Sequence, residues 1–355
     1  MNIVEAKQAI DKIIAKARVH LYKPIQIAEI LHRDRTQTDI ILELDNLETY
    51  RNVSKKWRDI ICNQFLGRSS TSSARYQDDI FNENAVPPHL LAILGKENRD
   101  KNGIVEAYIY RRFSERFTQM SSGLSYCDTH NKSNFQLSEF LLLFWQEAGL
   151  RRSIDKLYEI VVYSLFSAIV SELELTVEVS MNPSKQPILT EFEDFAKRVI
   201  NLQRGVTSFK TSAKIYRVGV TNASDRGMDI WANFGLAIQI KHLSLSEELA
   251  ENIVSSVNAD RIVIVCKKAE QKIILSLLNQ IGWKSRIQSI ITENDLTDWY
   301  EKALRGKYGE QIGEKMLQIL SNEIKVEFPV TENVEFARFY KGRGYDKLTD
   351  TLWDK

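Results

Sequence analysis

The order of strand-like and helix-like segments after Gly205 constrains the fold of this chain more than any other feature. Five segments have the alternation or the short apolar run that is typical of β-strands. One of them, RIVIVCK, is almost continuously apolar, as expected for a strand buried on both faces. This order predicts an α/β (α+β) fold in which helices flank a mixed β-sheet. The strand-like segments are KIYRVGVT, GMDIW, LAIQIKHLSL, RIVIVCK and SRIQSIIT.

Helical spacing dominates the chain before residue 182. Apolar residues recur at helical intervals through residues 1–66 and between residues 89 and 182, with a break predicted at LYKP (21–24). The stretch MNPSKQPIL separates this part from the strand-rich part and is the clearest boundary. We therefore predict a large, mainly helical region over residues 1–182 and a sheet-containing region over residues 183–355.

Helices are also predicted between the strands. Thr190 followed by Glu193 suits a capping box, which would begin the helix TEFEDFAKRVINLQRG. A serine precedes the second helix in the same way. The remaining predicted helices are SEELAENIVSSVN, AEQKIILSLLNQIG and DLTDWYEKAL.

The composition limits the class of protein. A net charge of +1 argues against a uniformly basic nucleic-acid binder, although a basic cleft can coexist with acidic faces. Three distant cysteines, Cys62, Cys127 and Cys266, argue against a disulfide framework and against a cysteine-based zinc site. The longest uncharged apolar run covers residues 160–171 and is shorter than the ~20 residues that span a bilayer. We expect a cytoplasmic protein without a membrane partner.

The strand LAIQIKHLSL carries two polar side chains, Gln239 and Lys241, in its middle. A turn near NFG (233–235) would fold it back on GMDIW, which puts Asp229 roughly opposite Ile238 and Gln239. Because side chains alternate along a strand, Gln239 and Lys241 point to the same face. One carboxylate, one amide oxygen and one ammonium are therefore expected together on the sheet.

Such a group suits metal-assisted hydrolysis of a phosphodiester. Asp229, Gln239 and the backbone carbonyl of Ile240 would hold Mg²⁺, which lowers the pKa of its water. Lys241 would orient or help to deprotonate this water and would neutralise charge on the phosphate.

Two alternatives stay open at the level of the sequence. A neutral glutamine would hold Mg²⁺ more weakly than an acid, so a further carboxylate is expected from Glu193 or from Glu191. The hairpin could also be a solvent-exposed edge, with Gln239 and Lys241 on its outer face. The strand-like runs that follow it argue against an edge position.

Asp229 and the QIK that ends at Lys241 resemble the motif of the PD-(D/E)XK nuclease superfamily, with Gln239 in place of its acidic residue. Longer segments between about residue 17 and about residue 245 are similar to the HaeII-type type II restriction endonucleases. The resemblance implies a Mg²⁺-dependent endonuclease that cuts both strands at a short GC-rich palindrome, purine-GCGC-pyrimidine for this type. It also implies a cognate DNA methyltransferase as genetic partner. The segments are ARVHLYKPIQIAEILHRDR, LETYRNVSKKWRDII, GRSSTSSARYQDDIF, GIVEAYIYRRF and VTNASDRGMDIWANFGLAIQIKHL.

A palindromic double-stranded DNA target implies two active sites and hence a homodimer. Residues 1–182 would then serve DNA recognition and dimerisation, and residues 183–355 would form the catalytic core with a basic C-terminal extension. Basic side chains in three stretches, and one beside the hairpin, are expected to contact DNA. They are Lys55, Lys56 and Arg58, then Arg68 and Arg75, then Lys341 and Arg343, and finally Arg226.

Two other functions compete with this one. A structure-specific nuclease of DNA repair or recombination would not need the large helical region. A DNA-binding protein with an inactive nuclease fold would explain why glutamine stands where the motif has an acid. Both Trp57 and Trp231 are expected in the core rather than against DNA bases.

Overall fold

A computed structural model describes residues 2–17, 20–36, 42–67, 69, 79–146, 153–218, 228–257, 259–269, 286–328 and 333–354. Three of the predicted DNA contacts, Arg68, Arg75 and Arg226, lie outside the described residues. The same holds for all but the first residue of the predicted helix AEQKIILSLLNQIG and for most of the loop GRSSTSSARYQDD.

The first part of the chain is helical, as predicted. The predicted break near LYKP falls before Tyr22, where the second helix begins. Pro24 therefore lies in the first turn of that helix, where a missing N–H costs no helical hydrogen bond. The helices are α1 (Ile3–Lys16), α2 (Tyr22–Thr36), α3 (Val53–Leu66), α4 (Pro88–Asp100), α5 (Ile104–Thr129), α6 (Leu137–Gln146) and α7 (Ile154–Glu172).

An insert, which we define as residues 173–212, follows α7. Its strands β1 (Thr176–Ser180) and β2 (Ser208–Ser212) form an antiparallel pair, and β1 falls inside the block that was predicted to be helical. Between them lie the short helices α8 (Gln186–Glu191) and α9 (Glu193–Phe195) and a π-helical turn. The predicted capping box is wrong, because the Thr190 hydroxyl donates backwards to the carbonyl of Gln186.

The main sheet has five strands in the order β3-β4-β5-β6-β7. The two pairings from β3 to β5 are antiparallel, and those from β5 to β7 are parallel, which confirms the predicted mixed sheet. Its strands are β3 (Ile215–Arg217), β4 (Ile230–Ala232), β5 (Leu236–Ser244), β6 (Arg261–Lys268) and β7 (Ile287–Thr292). The later helices are α10 (Glu247–Ser256), α11 (Glu293–Arg305), α12 (Gly309–Glu327) and α13 (Asn333–Gly342).

The chain forms two compact units, and their boundaries differ from the predicted division at 182/183. The helical unit contains residues 1–130, 136–157 and 321–355. The sheet unit contains residues 131–135 and 158–320. The C-terminal residues therefore belong to the helical unit and not to the unit of the hairpin. Within the described residues, no helix combines the length and the apolar character needed to cross a bilayer.

A buried carboxylate organises the core of the helical unit. Glu106 on α5 accepts hydrogen bonds from His32 (2.9 Å), from Arg35 (2.9 Å), from Asn98 (2.6 Å) and from the hydroxyl of Tyr345. Burial alone would raise the pKa of the Glu106 carboxyl, but the hydrogen bonds from His32, Arg35 and Tyr345 outweigh it and lower the pKa to about 2. Through these hydrogen bonds the Glu106 carboxylate connects the C-terminal segment, which contains Tyr345, to α2 and α4.

Candidate active site on the central hairpin

A tight turn sets the register of the β4–β5 hairpin. Gly235 has φ of +82°, a left-handed conformation that glycine adopts without a steric penalty. Its N–H donates to the carbonyl of Ala232 over 3.1 Å. Beyond the turn, Ile230 pairs with Ile238, and the N–H of Asp229 donates to the carbonyl of Ile238. The predicted position of Asp229 opposite Ile238 and Gln239 is therefore confirmed.

Asp229 and Gln239 are in direct contact. The side-chain Nε2 of Gln239 donates to Oδ2 of Asp229 over 2.5 Å, and the backbone N–H of Ile240 donates to the same oxygen over 2.7 Å. Two donors thus fix one oxygen of the carboxylate and orient its plane. Ile240, which was predicted to offer its carbonyl to a metal, contributes its N–H to this arrangement.

The position of β5 excludes the edge-strand alternative. β5 is the third of the five strands, with β4 on one side and β6 on the other. Gln239 is only 3% exposed. Its register partner Ile264 on β6, and Ala237 two residues before it on β5, belong to an apolar cluster with Ala250 and Ile253 of α10. A polar side chain in such surroundings requires a hydrogen-bond partner, and Asp229 supplies it.

Lys241 lies two residues beyond Gln239 on the same face of β5. It is in register with Cys266 of β6, as Gln239 is with Ile264. Its side chain is partly buried, whereas the cysteine beside it is fully buried. The Lys241 side chain therefore leaves β5 on the same face as the Asp229–Gln239 pair, and its Cα lies about 7 Å farther along the strand than that of Gln239.

The atoms of this group fit a hard divalent cation. The available oxygens are those of a carboxylate and an amide, which are the ligand types of Mg²⁺. Among the described residues, no three acidic, histidine or cysteine side chains gather at one place. Asp229 is the carboxylate that the described residues of the hairpin offer to such a cation, and Mg²⁺ is commonly held by one or two carboxylates with water and substrate oxygens as its other ligands.

An exposed aromatic pair shares this face of the sheet. Tyr216 is in register with Trp231, and Trp231 with Ala237, so both rings stand on the face of Gln239. The rings stack with centroids 4.5 Å apart and planes 19° apart. Tyr216 is 37% exposed and Trp231 is 42% exposed. The expectation that Trp231 is a core residue is therefore wrong, whereas Trp57 is buried as expected.

The predicted auxiliary acids lie in the insert. The Oε1 atom of Glu193 accepts a hydrogen bond from the backbone N–H of Arg204 over 3.1 Å, and Glu191 is exposed at the end of α8. Glu159 of α7 is a further carboxylate, not among the predicted site residues; it is buried and lies 3.9 Å from Arg217. Arg217 pairs in register with Ile230, so this ion pair belongs to the opposite face of the sheet.

A second missed carboxylate lies at the carboxyl edge of the parallel strands. Glu293 begins α11 directly after Thr292, and Thr292 is in register with Cys266, the neighbour of Lys241. Within the part of the chain that the structure describes, the Oε2 atom of Glu293 is buried and has no hydrogen-bond partner, and burial raises the pKa of this carboxyl. The position directly after a buried strand is the signal that could have identified it.

The predicted DNA contacts of the helical unit differ in exposure. Lys56 and Lys341 are exposed, and Lys55 is partly so. Arg58 is an exception. Its guanidinium is fully buried and donates to Gln26 (3.1 Å) and to Asp59 (2.7 Å). Its position makes it part of the packing between α2 and α3, and a surface contact with DNA is not available to it.

Arg343 is also held within the helical unit. It forms a two-point ion pair with Glu29, at 2.6 Å and 3.1 Å, and its guanidinium lies 4.4 Å from the centre of the Phe339 ring. The hydroxyl of Tyr110 donates to the same carboxylate over 2.5 Å. The basic C-terminal stretch is thus packed against α2 and α5, with Lys341 on its outer side.

Comparisons with known proteins identify relatives over the whole chain. A family model described as HaeII restriction endonuclease matches residues 6–345. The chain is 63% identical over 351 residues to the type II restriction enzyme HaeII of Haemophilus aegyptius, which covers 99% of both chains. It is 60% identical over 345 residues to the type II restriction enzyme NgoBI of Neisseria gonorrhoeae, which covers 96% of this chain and 97% of that one. No solved structure matches the chain.

Proposed function

The chain belongs to the HaeII restriction endonuclease family, and from this premise we propose that the β4–β5 hairpin is its Mg²⁺-dependent catalytic centre. Membership at this level of identity makes the protein a type II site-specific deoxyribonuclease. The proposed reaction is hydrolysis of one phosphodiester bond in each strand of a short GC-rich palindrome. For the target we propose purine-GCGC-pyrimidine, and for the centre a PD-(D/E)XK type.

The contact between Asp229 and Gln239 is the observation that carries the assignment. It holds the carboxylate that precedes β4 against the amide of Gln239 in the central strand β5, two residues before Lys241, in a part of the sheet that is otherwise apolar. A structural role alone would be met at lower cost by apolar side chains. A buried polar pair with a charged side chain on the same face of the strand is instead typical of functional sites.

Each residue has a definite part in the proposed mechanism. Asp229 and the amide oxygen of Gln239 would be ligands of Mg²⁺, with the Ile240 N–H holding the carboxylate in position. When bound, Mg²⁺ would supply a Lewis acid that polarises the scissile phosphate and activates water. Lys241 would orient the attacking water and neutralise charge that develops on the phosphate. Glu193 remains our proposal for an auxiliary acid.

The surroundings of the hairpin support duplex DNA as the partner. The exposed rings of Tyr216 and Trp231 can pack against nucleotides next to the cut phosphate, as aromatic side chains do in many nucleic-acid sites. We also propose that the partly exposed Lys55 and the exposed Lys56 and Lys341 contact phosphates. A palindromic target with two cuts requires two centres, so we propose a homodimer, with a DNA methyltransferase as genetic partner.

Plasmid cleavage tests this proposal. The wild type with Mg²⁺ should give discrete bands, and Lys241→Ala should slow cleavage by at least ~100-fold, because both orientation and charge stabilisation are lost. Lys268→Ala, which removes an exposed lysine of the neighbouring strand β6, is the matched control and should cut normally. A Lys241→Ala variant that cuts like the wild type would remove the hairpin from the mechanism. No cutting by any of these proteins with any divalent cation would favour an inactive nuclease fold, and cutting at branched DNA alone would favour a repair enzyme.

A further inference from the structure

The insert carries an unusual share of exposed apolar side chains. Seventeen large apolar residues are exposed among the residues that the structure describes, and nine of them lie between Leu173 and Val206. Most of the exposed apolar surface of this kind is therefore concentrated in about a tenth of the chain. Single exposed apolar residues need no explanation, but a group of this size marks a surface that is covered by something.

Five of these side chains form one face on α8, α9 and the turn that follows. Four of them, all except Val199, line a groove of about 480 Å³, whose floor is made of the buried residues Leu189, Ala196 and Leu202. The exposed fractions of the five range from 40% to 67%. We call this surface the insert face. It consists of Ile188, Phe192, Phe195, Val199 and Ile200.

We propose that the insert face is the surface through which two copies of this chain form a twofold dimer. The proposal rests on the proposed function, because two cuts in a palindrome require two active centres related by a twofold axis. In such a dimer the same patch is used on both protomers. The interface would lie in the sheet unit and not in residues 1–182, where the sequence predicts it.

The area of the insert face matches the need of a stable dimer. A standard interface buries ~800 Å² on each partner, of which about 56–65% is apolar. The apolar part is therefore roughly 450–520 Å² per protomer. At roughly 100 Å² for each half-exposed side chain of this size, the five residues supply about 500 Å². Two of the five side chains, Phe192 and Phe195, are aromatic, and aromatic residues are enriched in interfaces.

The charges around the face favour a second copy over DNA. Residues 185–200 contain three basic and three acidic side chains, so their net charge is zero. A surface that binds the phosphate backbone needs an excess of positive charge. Mixed charges, such as the exposed pair of Asp194 and Arg198 at 3.2 Å, instead suit the polar rim of a self-complementary interface.

Asn233 connects the catalytic hairpin to the end of the insert, with one hydrogen bond to Ser212 and two to Lys214, which lies two residues beyond the insert. Its N–H donates to the carbonyl of Lys214, its Oδ1 accepts from the N–H of Lys214, and its Nδ2 donates to the carbonyl of Ser212. Asn233 lies in the β4–β5 turn, and Ser212 is the last residue of the insert. A dimer formed through the insert would thus fix the position of each catalytic hairpin relative to the twofold axis.

Sedimentation equilibrium of the full-length protein without DNA tests the proposal. The wild type should have twice the 41.0 kDa monomer mass at micromolar concentration. The double variant Phe192→Glu, Phe195→Glu should raise the dimer dissociation constant by at least ~100-fold, as expected for two aromatic contacts. The matched control is Tyr308→Glu, which puts the same charge on an equally exposed aromatic residue of the sheet unit and should stay dimeric. Val199→Glu is the second variant, and its exposed position accepts a charge without disturbing the monomer.

The outcomes separate this proposal from the proposed function. A wild type of monomer mass, or folded insert-face variants that remain dimeric, would overturn the insert face as the interface. Circular dichroism and thermal unfolding of each variant show that the monomer is intact. Because mass is measured without DNA or metal, a protein that dimerises in this way but does not cut would contradict only the proposed function. In an active enzyme, the monomeric variants should lose at least ~10-fold in double-strand cutting.

Discussion

Gln239 donates a hydrogen bond to Asp229 across the hairpin, and this bond explains why a neutral amide stands at the position. Its Nε2 lies 2.5 Å from Oδ2 of the carboxylate. A glutamate at 239 would bring two negative charges to the same distance, which is unfavourable until a cation binds. The glutamine instead pairs with Asp229 before any cation arrives and leaves its amide oxygen available as a ligand.

Replacing Gln239 by glutamate should therefore raise the affinity for Mg²⁺ and lower the stability of the metal-free protein. Gln239→Glu adds a charged ligand, so we expect half-maximal cleavage at a several-fold lower Mg²⁺ concentration. Without metal, the same variant should unfold at a lower temperature than the wild type, because the hydrogen bond is replaced by repulsion. Cleavage rates over a Mg²⁺ titration and thermal unfolding in EDTA measure the two effects. The control Gln239→Met has no oxygen ligand and should lose activity. An unchanged Mg²⁺ requirement in Gln239→Glu would show that residue 239 is not a ligand.

The hairpin could be predicted from the sequence because its information is local. The turn at Asn233 to Gly235 fixes the register, and the alternation along β5 then fixes which residues share a face. The exposure of a side chain, in contrast, depends on contacts with distant parts of the chain. Trp231 has the same alternation as a core residue, and only the packing of the whole unit leaves it uncovered.

Long-range contacts explain the other differences between prediction and structure. The C-terminal segment joins the helical unit through Arg343 and Glu29, which are 314 positions apart in the chain. No periodicity in either segment reveals this contact. In the insert, the local capping pattern of Thr190 and Glu193 competes with a helix that begins earlier, at Gln186, and the earlier start prevails.

The Tyr216–Trp231 pair should contribute to DNA affinity without neutralising any phosphate charge. Stacking on an aromatic side chain contributes ~1–3 kcal/mol per base, so Trp231→Ala should weaken DNA binding by roughly 10-fold. Its dependence on salt should not change, because no cation is lost. Fluorescence anisotropy with duplex DNA, in a Lys241→Ala background that prevents cleavage, measures both quantities. Trp231→Phe should retain most of the affinity, and Tyr308→Ala is the control. Equal affinity in Trp231→Ala and the wild type would contradict the role.

Lys56 and Arg58 lie two residues apart on α3, and alanine substitution should affect DNA binding at Lys56 but stability at Arg58. Lys56 is exposed, so Lys56→Ala should weaken DNA binding and reduce the slope of log affinity against log salt by roughly 0.9. Arg58 is buried with Gln26 and Asp59, so Arg58→Ala should lower the free energy of unfolding by roughly 3 kcal/mol. Salt titrations of binding and urea unfolding measure the two effects. A DNA-binding defect in a fully stable Arg58→Ala protein would reverse the assignment.

Glu106 should make the stability of the protein depend on acid pH. Its folded-state pKa of about 2 is below the ordinary 4.5, so the stabilisation is present above pH 4.5 and is lost as the pH falls towards 2. This difference corresponds to about 3 kcal/mol at neutral pH. Glu106→Gln should therefore be destabilised by about that amount at pH 7, and its difference from the wild type should shrink between pH 4.5 and pH 3.

Urea unfolding at several pH values measures this difference, and comparing variant with wild type cancels the titration of other carboxyl groups. The matched control is Glu115→Gln on the same helix, where an exposed carboxylate pairs with Arg112 at 2.8 Å. An exposed pair contributes ~0–1 kcal/mol, so this variant should follow the wild type at every pH. A Glu106→Gln deficit that stays constant from pH 7 to pH 3 would mean that packing, and not the buried charge, holds Tyr345 and the C-terminal segment against α5.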